Sequence, residues 1–173
     1  MTREQICVIG LGNVFLGDDA FGPLFVEVFR CEYECGANVE VLDLGTPGLD
    51  LGPYLCNREL VVVVDAVHAD TPAGTLSILG EMDFVSRRAK LRISGHDPGL
   101  WQCLAHLRLA GIAPRELIIL GVNPRSFGLG EAPDDTMLDS ASETGAVLAR
   151  MLSERGIECR RRRISGQPNL WWT

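Results

Sequence analysis

Histidine is scarce in this sequence: three residues in 173. There is no His-Glu-x-x-His pattern, so a helix-borne zinc protease of that type is excluded. There is no Gly-x-Ser-x-Gly either, so Ser94, although it stands near His96, is not the nucleophile of a serine-hydrolase elbow. The six cysteines form no Cys-x2-Cys unit; only Cys31 and Cys35 are close, and no second cysteine or histidine pair completes a zinc site with them. No apolar run approaches the ~20 residues of a membrane span. Residues 1–5 lead straight into an apolar run without the pattern of a signal peptide. These absences predict a cytoplasmic chain with reduced thiols and no disulfide. Basic residues are also in the minority, 16 against 23 acidic ones, for a net charge of −7 and a pI near 4.9. That balance disfavours nucleic acid as a partner.

What is present points to a folded enzyme-sized unit. Hydrophobic residues make up 46% of the chain, inside the globular range. One domain with a real core follows from the length. We place it at residues 1–156, with 157–173 as a tail that carries four consecutive arginines, Arg160 to Arg163, and ends on Trp171, Trp172 and Thr173. The tail reads as poorly packed or strand-like, the competing reading being that its two tryptophans dock.

The chain is organised around residues 10–22. An apolar run, 6–9, enters this stretch and an amphipathic run, 21–29, leaves it, as in a strand, a tight turn and a helix start. Gly10 and Gly12 suggest a dinucleotide loop, but the third glycine of that motif would fall on Phe15. Asp18 and Asp19 at the helix start would also repel a phosphate and suit a cation instead. The structural reading of the pair is that one of them caps the helix.

Further strands are expected at 39–42, 60–64, 74–79 and 117–122, with helices at 49–56, 99–109 and 134–154. Residues 60–64 are the most hydrophobic run and end on Asp65, which marks a central buried strand. The link from Asp65 to the strand at 74–79 is too short for a parallel crossover, so these two strands should run antiparallel. The pattern is three-layer α/β/α: helices on both faces of a mostly parallel, five-stranded mixed sheet. Ligands of such sheets sit at the carboxyl ends of the strands flanking the switch point. If the strands at 5–11 and 60–64 are neighbours there, Asp19 and Asp65 converge. A buried aspartate after four valines needs a partner, either loop N–H groups or a metal. His96 lies in an irregular stretch; His106 reads as packing in, or at the edge of, its helix. Two carboxylates and an imidazole suit a borderline or harder divalent ion with positions left open.

Gly12-Asn13, Gly17-Asp18-Asp19 with Gly22, Gly45-Thr46-Pro47-Gly48, Asp65-Ala66 after an apolar strand, Pro72 to Gly74, and Ser94-Gly95-His96 occur in an order that resembles the hydrogenase maturation proteases. The resemblance spans residues 6–122. It implies an antiparallel edge strand in the sheet, and an endopeptidase that removes a C-terminal extension from the nickel-loaded large-subunit precursor of a nickel–iron hydrogenase. It places the nickel-binding and catalytic positions on Asp19, Asp65 and His96, with nickel supplied by the substrate. It places substrate contacts at Asn13, Asp18, Gly45, Thr46 and Gly48. Activation of water by the metal is the mechanism it favours here, since no protein nucleophile or base pair is apparent. A self-contained zinc peptidase and a non-catalytic metal-binding or regulatory domain are the alternatives.

Overall fold

A computed structural model describes residues 5–83, 92–93, 97–163 and 166–172. Strand β1 (Ile6–Leu11) is buried along its whole length, as a strand covered on both faces must be. It pairs in parallel with β3 (Val39–Gly45) on one side and with β4 (Leu60–His68) on the other. Beyond β4 lies β7 (Glu116–Val122), also parallel, and beyond that the antiparallel edge strand β5 (Leu76–Gly80). The order is therefore β3-β1-β4-β7-β5, a mostly parallel sheet with one antiparallel edge. A two-residue strand, β6 (Arg92–Ile93), pairs with Val67 and His68 at the end of β4.

Successive strand residues point to opposite faces, and each face has its own core. On one face, Val8, Val62, Val64 and Leu120 meet α1 (Phe21–Glu32) and α4 (Asp135–Glu154) through Phe21, Phe25, Phe29, Met137 and Leu148. Phe25, Phe29 and Tyr33 stack in series along α1, at centroid spacings of 5.4 and 5.0 Å. On the other face, Cys7, Ile9, Val61, Val63 and Ile119 meet α2 (Gly52–Leu55) and α3 (Asp97–Leu109) through Leu55, Leu100, Leu104 and Leu107. His106 and His68 are both exposed, and His68 lies edge-on to the Phe127 ring.

Two features depart from the sequence expectation. The strand at 74–79 runs in the expected direction, but β7 lies between it and β4. The cause is Asn123, buried at the end of β7. Its side chain accepts from Ala69 N and donates to Thr71 O, while its backbone exchanges bonds with Gly74 N and Thr75 O. The short 69–75 link is thus held over the end of β7 rather than turned back onto β4. Secondly, β2 (Tyr33–Cys35) and β8 (Cys159–Arg161) form a two-stranded antiparallel ribbon. Leu170 and Trp172 pack against the first core, and Trp171, half-exposed, meets the Trp172 ring edge-on. None of the six cysteines is in a disulfide. Among the described residues no helix is long and apolar enough to cross a membrane.

Candidate active site

The chain leaves β1 to opposite sides: β3 lies on one flank and β4 on the other, so the switch point of the sheet falls between β1 and β4. Pairing of β1 with β4 ends at Gly10 and Val64. Asp65 is therefore the first β4 residue beyond it, at the carboxyl end of the sheet. It is wholly buried, and its Oδ1 accepts the Ala66 N–H at 2.7 Å. Val63 and Val67, two positions before and after it, belong to the core beneath α3, so Asp65 lies on the α3 face of the strand.

Two glycines bring Asp19 to the same end. Gly12 has φ +144°, and a Cβ there would run into the Asp19 carbonyl oxygen. A Cβ on Gly22 would collide with the Leu11 backbone and approach the Val64 carbonyl, so only glycine lets the start of α1 rest on β1 and β4 at once. Between them a 3-10 turn, Gly17–Ala20, is buried against β4. Asp19, 3% exposed, accepts the Asn13 N–H at 3.0 Å through Oδ2. Asn13 in turn accepts the Phe15 N–H, closing the turn.

Neither aspartate caps α1, whose N-cap is Ala20 with no side-chain bond. Asp18 does something else. Its Oδ2 takes the N–H groups of Arg125 and Ser126, at 2.7 and 3.2 Å, and its Oδ1 takes that of Asp134 at 2.7 Å. Both oxygens are occupied in tying the 123–134 loop to the turn, which makes Asp18 an anchor. Sequence reasoning missed this anchor and Asn123, although the Asn123-Pro124 step directly after a strand was a visible signal.

A groove of about 360 Å³ opens beside Asp19, lined by Asn13, Phe15, Asp43, Gly45 and Thr46 among others. Gly45, at φ +56°, is held by the Asp43 side chain, and its carbonyl accepts the Gly12 N–H. Gly48 lies elsewhere: its carbonyl meets Gly99 at the start of α3, and the neighbouring Leu49 carbonyl accepts the Cys103 thiol. Phe15 and Leu129 are strongly exposed, and the Phe15 carbonyl accepts the Gly130 N–H. Of the expected site residues, Asp19 and Asp65 both lie toward the carboxyl end of the sheet, and Asn13, Gly45 and Thr46 line the groove at that end. His96, with Ser94 and Gly95, lies outside the described residues.

The sequence of this chain matches a known family model. That model, described as hydrogenase maturation protease, fits residues 23–131. The chain belongs to the hydrogenase maturation protease family. It is 36% identical over 158 residues to the hydrogenase 2 maturation protease of Escherichia coli strain K12, covering 89% of this chain and 94% of that protein. It is 30% identical to a hydrogenase expression/formation protein of Azotobacter vinelandii, covering 91% of this chain and 76% of the other. The solved hydrogenase maturating endopeptidase HybD of E. coli superposes with a TM-score of 0.83 at 31% identity, over 91% of this chain and 98% of that one. Members of the family are endopeptidases. Among the described residues no group of three His, Cys, Asp or Glu side chains could hold a metal ion. Asp19 and Asp65 supply two hard oxygen donors, which fit part of the ligand set of a divalent ion and leave its nitrogen or sulfur ligands to come from elsewhere.

Proposed function

We propose that this endopeptidase works in the cytoplasm and removes a C-terminal extension from the large-subunit precursor of a nickel–iron hydrogenase, and that nickel already seated in the precursor is what it recognises. The observation that supports this reading most is that Asp19 and Asp65, both buried, lie toward the same carboxyl end of the sheet, where sheets of this kind take their ligands.

His96 is proposed as the third ligand. Of the described residues near it in the chain, Ile93 pairs with Val67, two residues past Asp65. Asp65 also lies on the face that α3 covers. Three ligands leave positions on the ion for the substrate's own thiolates and for water or the scissile carbonyl. An ion brought by the substrate would supply Lewis acidity at the peptide bond. The protein's own residues do the positioning. Asn13 N–H steadies the Asp19 carboxylate, Gly45 and Thr46 line the path of the peptide, and the exposed Phe15 gives the extension an apolar surface to rest on. The buried floor around Asp65 keeps bulk water from the carboxylates, which strengthens their pull on a cation.

The test compares one precursor in two states. Nickel-loaded precursor should lose its extension by mass, and metal-free precursor should stay intact. Equal cleavage of both overturns the reading of nickel as the signal, and stoichiometric zinc in the isolated enzyme overturns the reading that the metal comes with the substrate.

A further inference from the structure

The ribbon of β2 and β8 lies at the opposite end of the sheet from Asp19 and Asp65. Strand β2 leads into the start of β3, and Asn38 between them accepts the N–H of Ile6, the first residue of β1. Within this ribbon Cys35 and Cys159 are register partners, with their sulfur atoms 2.9 Å apart. Backbone bonds on both sides define the kind of pair they make. Gly36 N donates to Glu158 O at 2.8 Å, and Arg162 N donates to Glu32 O at 2.7 Å. Bonded and non-bonded pairs alternate along an antiparallel ladder, so Cys35 and Cys159 form a non-hydrogen-bonded pair. Such partners hold their Cα atoms roughly 4.5 Å apart with side chains at closest approach. That separation lies within the span a disulfide bridges.

We propose that Cys35 and Cys159 are a reversible thiol pair, oxidised by low-molecular-weight disulfides to a cross-strand bridge that fastens the C-terminal strand to the body of the enzyme. Both residues are half-exposed, so a small disulfide can reach them. The Cys35 thiol donates to the Cys159 sulfur; that bond, with burial adding to it, pushes Cys35 up, and the same bond holds Cys159 down against the opposing effect of burial. Cys159 is therefore the first nucleophile. Its thiolate attacks one sulfur of the oxidant, and one reduced thiol leaves as a mixed disulfide forms on Cys159. Cys35 then gives up its proton, attacks the Cys159 sulfur and releases the second reduced thiol. Two protein thiols and one small disulfide become one protein disulfide and two small thiols.

The bridge would matter because the ribbon is slight. Three residues pair on each strand, and a two-stranded ribbon is marginal alone. Arg162 adds side-chain bonds to the Arg30 and Tyr33 carbonyls, and Leu170 and Trp172 add apolar contact. In the reduced enzyme the segment is held by such non-covalent contacts and by the backbone bonds of the ribbon. In the oxidised enzyme it is tied covalently to a strand more than a hundred residues earlier.

The experiment uses the full-length protein in mixtures of reduced and oxidised glutathione, acid-quenched, alkylated and mapped without reduction. Oxidised glutathione should lower the alkylatable thiols from six to four, join the Cys35 and Cys159 peptides, and be reversed by reduced glutathione. Trypsin should cut at Arg160 to Arg163 roughly tenfold more slowly in the oxidised protein. Cys31→Ser should behave as the wild type, while Cys35→Ser should stop at a mixed disulfide on Cys159. Six thiols surviving excess oxidised glutathione, a bridge to any other cysteine, or equal trypsin rates in both states would overturn the proposal.

Discussion

The Asp18 carboxylate accepts the backbone N–H of Asp134, 116 residues further along the chain, at 2.7 Å. With Arg125 and Ser126 it closes the 123–134 loop over the 3-10 turn. Asp19, one residue on, bonds Asn13 across the mouth. Removing Asp18 leaves three backbone donors without their acceptor. Asp18→Ala should lower unfolding stability by about 4 kcal/mol, and Asp18→Asn, which keeps one oxygen, by about half of that. Urea unfolding measures both, and a change within about 0.5 kcal/mol for the alanine variant would show that the anchor is dispensable.

The neighbouring carboxylate should behave in the opposite way. Asp19→Asn and Asp65→Asn preserve shape and an acceptor oxygen while removing the charge that a cation needs. Each should reduce cleavage of nickel-loaded precursor by about 100-fold or more. Their urea midpoints should stay near that of the wild type. Near-wild-type rates in either variant would remove that carboxylate from the chemistry.

The groove predicts a separation of binding from turnover. Phe15 is 67% exposed, so its loss costs the fold little. Phe15→Ala and Thr46→Arg should raise KM for the precursor by roughly tenfold and leave kcat near its starting value. A fall in kcat with KM unchanged would move these side chains out of the peptide path.

The N-cap of α4 carries a pH signature. The Thr136 hydroxyl and N–H, helped by Arg125, hold the half-buried Asp134 carboxyl below the ordinary carboxylate range. A folded-state value below the unfolded one gives stability that is present above pH ~4 and is lost as pH falls through the folded value. The wild type should therefore exceed Asp134→Ala in stability at pH 7, and the gap should shrink below pH ~4. Thermal melts of both proteins from pH 7 to pH 2 read this directly, and a gap that does not change with pH would contradict it.

Thr144 is fully buried in α4, and its hydroxyl has no hydrogen-bond partner among the described residues. Thr144→Val replaces that hydroxyl by a methyl group of similar size. Stability should rise by about 1 kcal/mol. A loss in urea unfolding would show that the hydroxyl is satisfied in solution.

How far the fold could be read in advance depended on whether the signal was local. The valine run 61–64 is apolar at every position, and such a run is stable only where both faces are covered; the sequence alone therefore determined the central strand, and with it the buried Asp65. The glycines at 12 and 22, the helix expected at 134–154, and the antiparallel sense of the strand after Asp65 are local in the same way. The ordered motifs from Gly12 to His96 were enough to carry the resemblance to the family.

Tertiary structure decided what depends on partners far along the chain. Asp18 and Asp19 are the same residue type in the same turn; only the distant N–H groups of residues 125, 126 and 134 distinguish anchor from mouth. No local pattern in 69–75 shows that β7 inserts between β4 and β5, since Asn123 supplies the bonds that hold that link. The pairing of Cys35 with Cys159 likewise depends on where the C-terminal strand docks. A side chain's chemistry is written in the sequence, but its partner is chosen by packing, and contacts between remote residues form only when the whole chain has bought back the entropy of closing the loop between them.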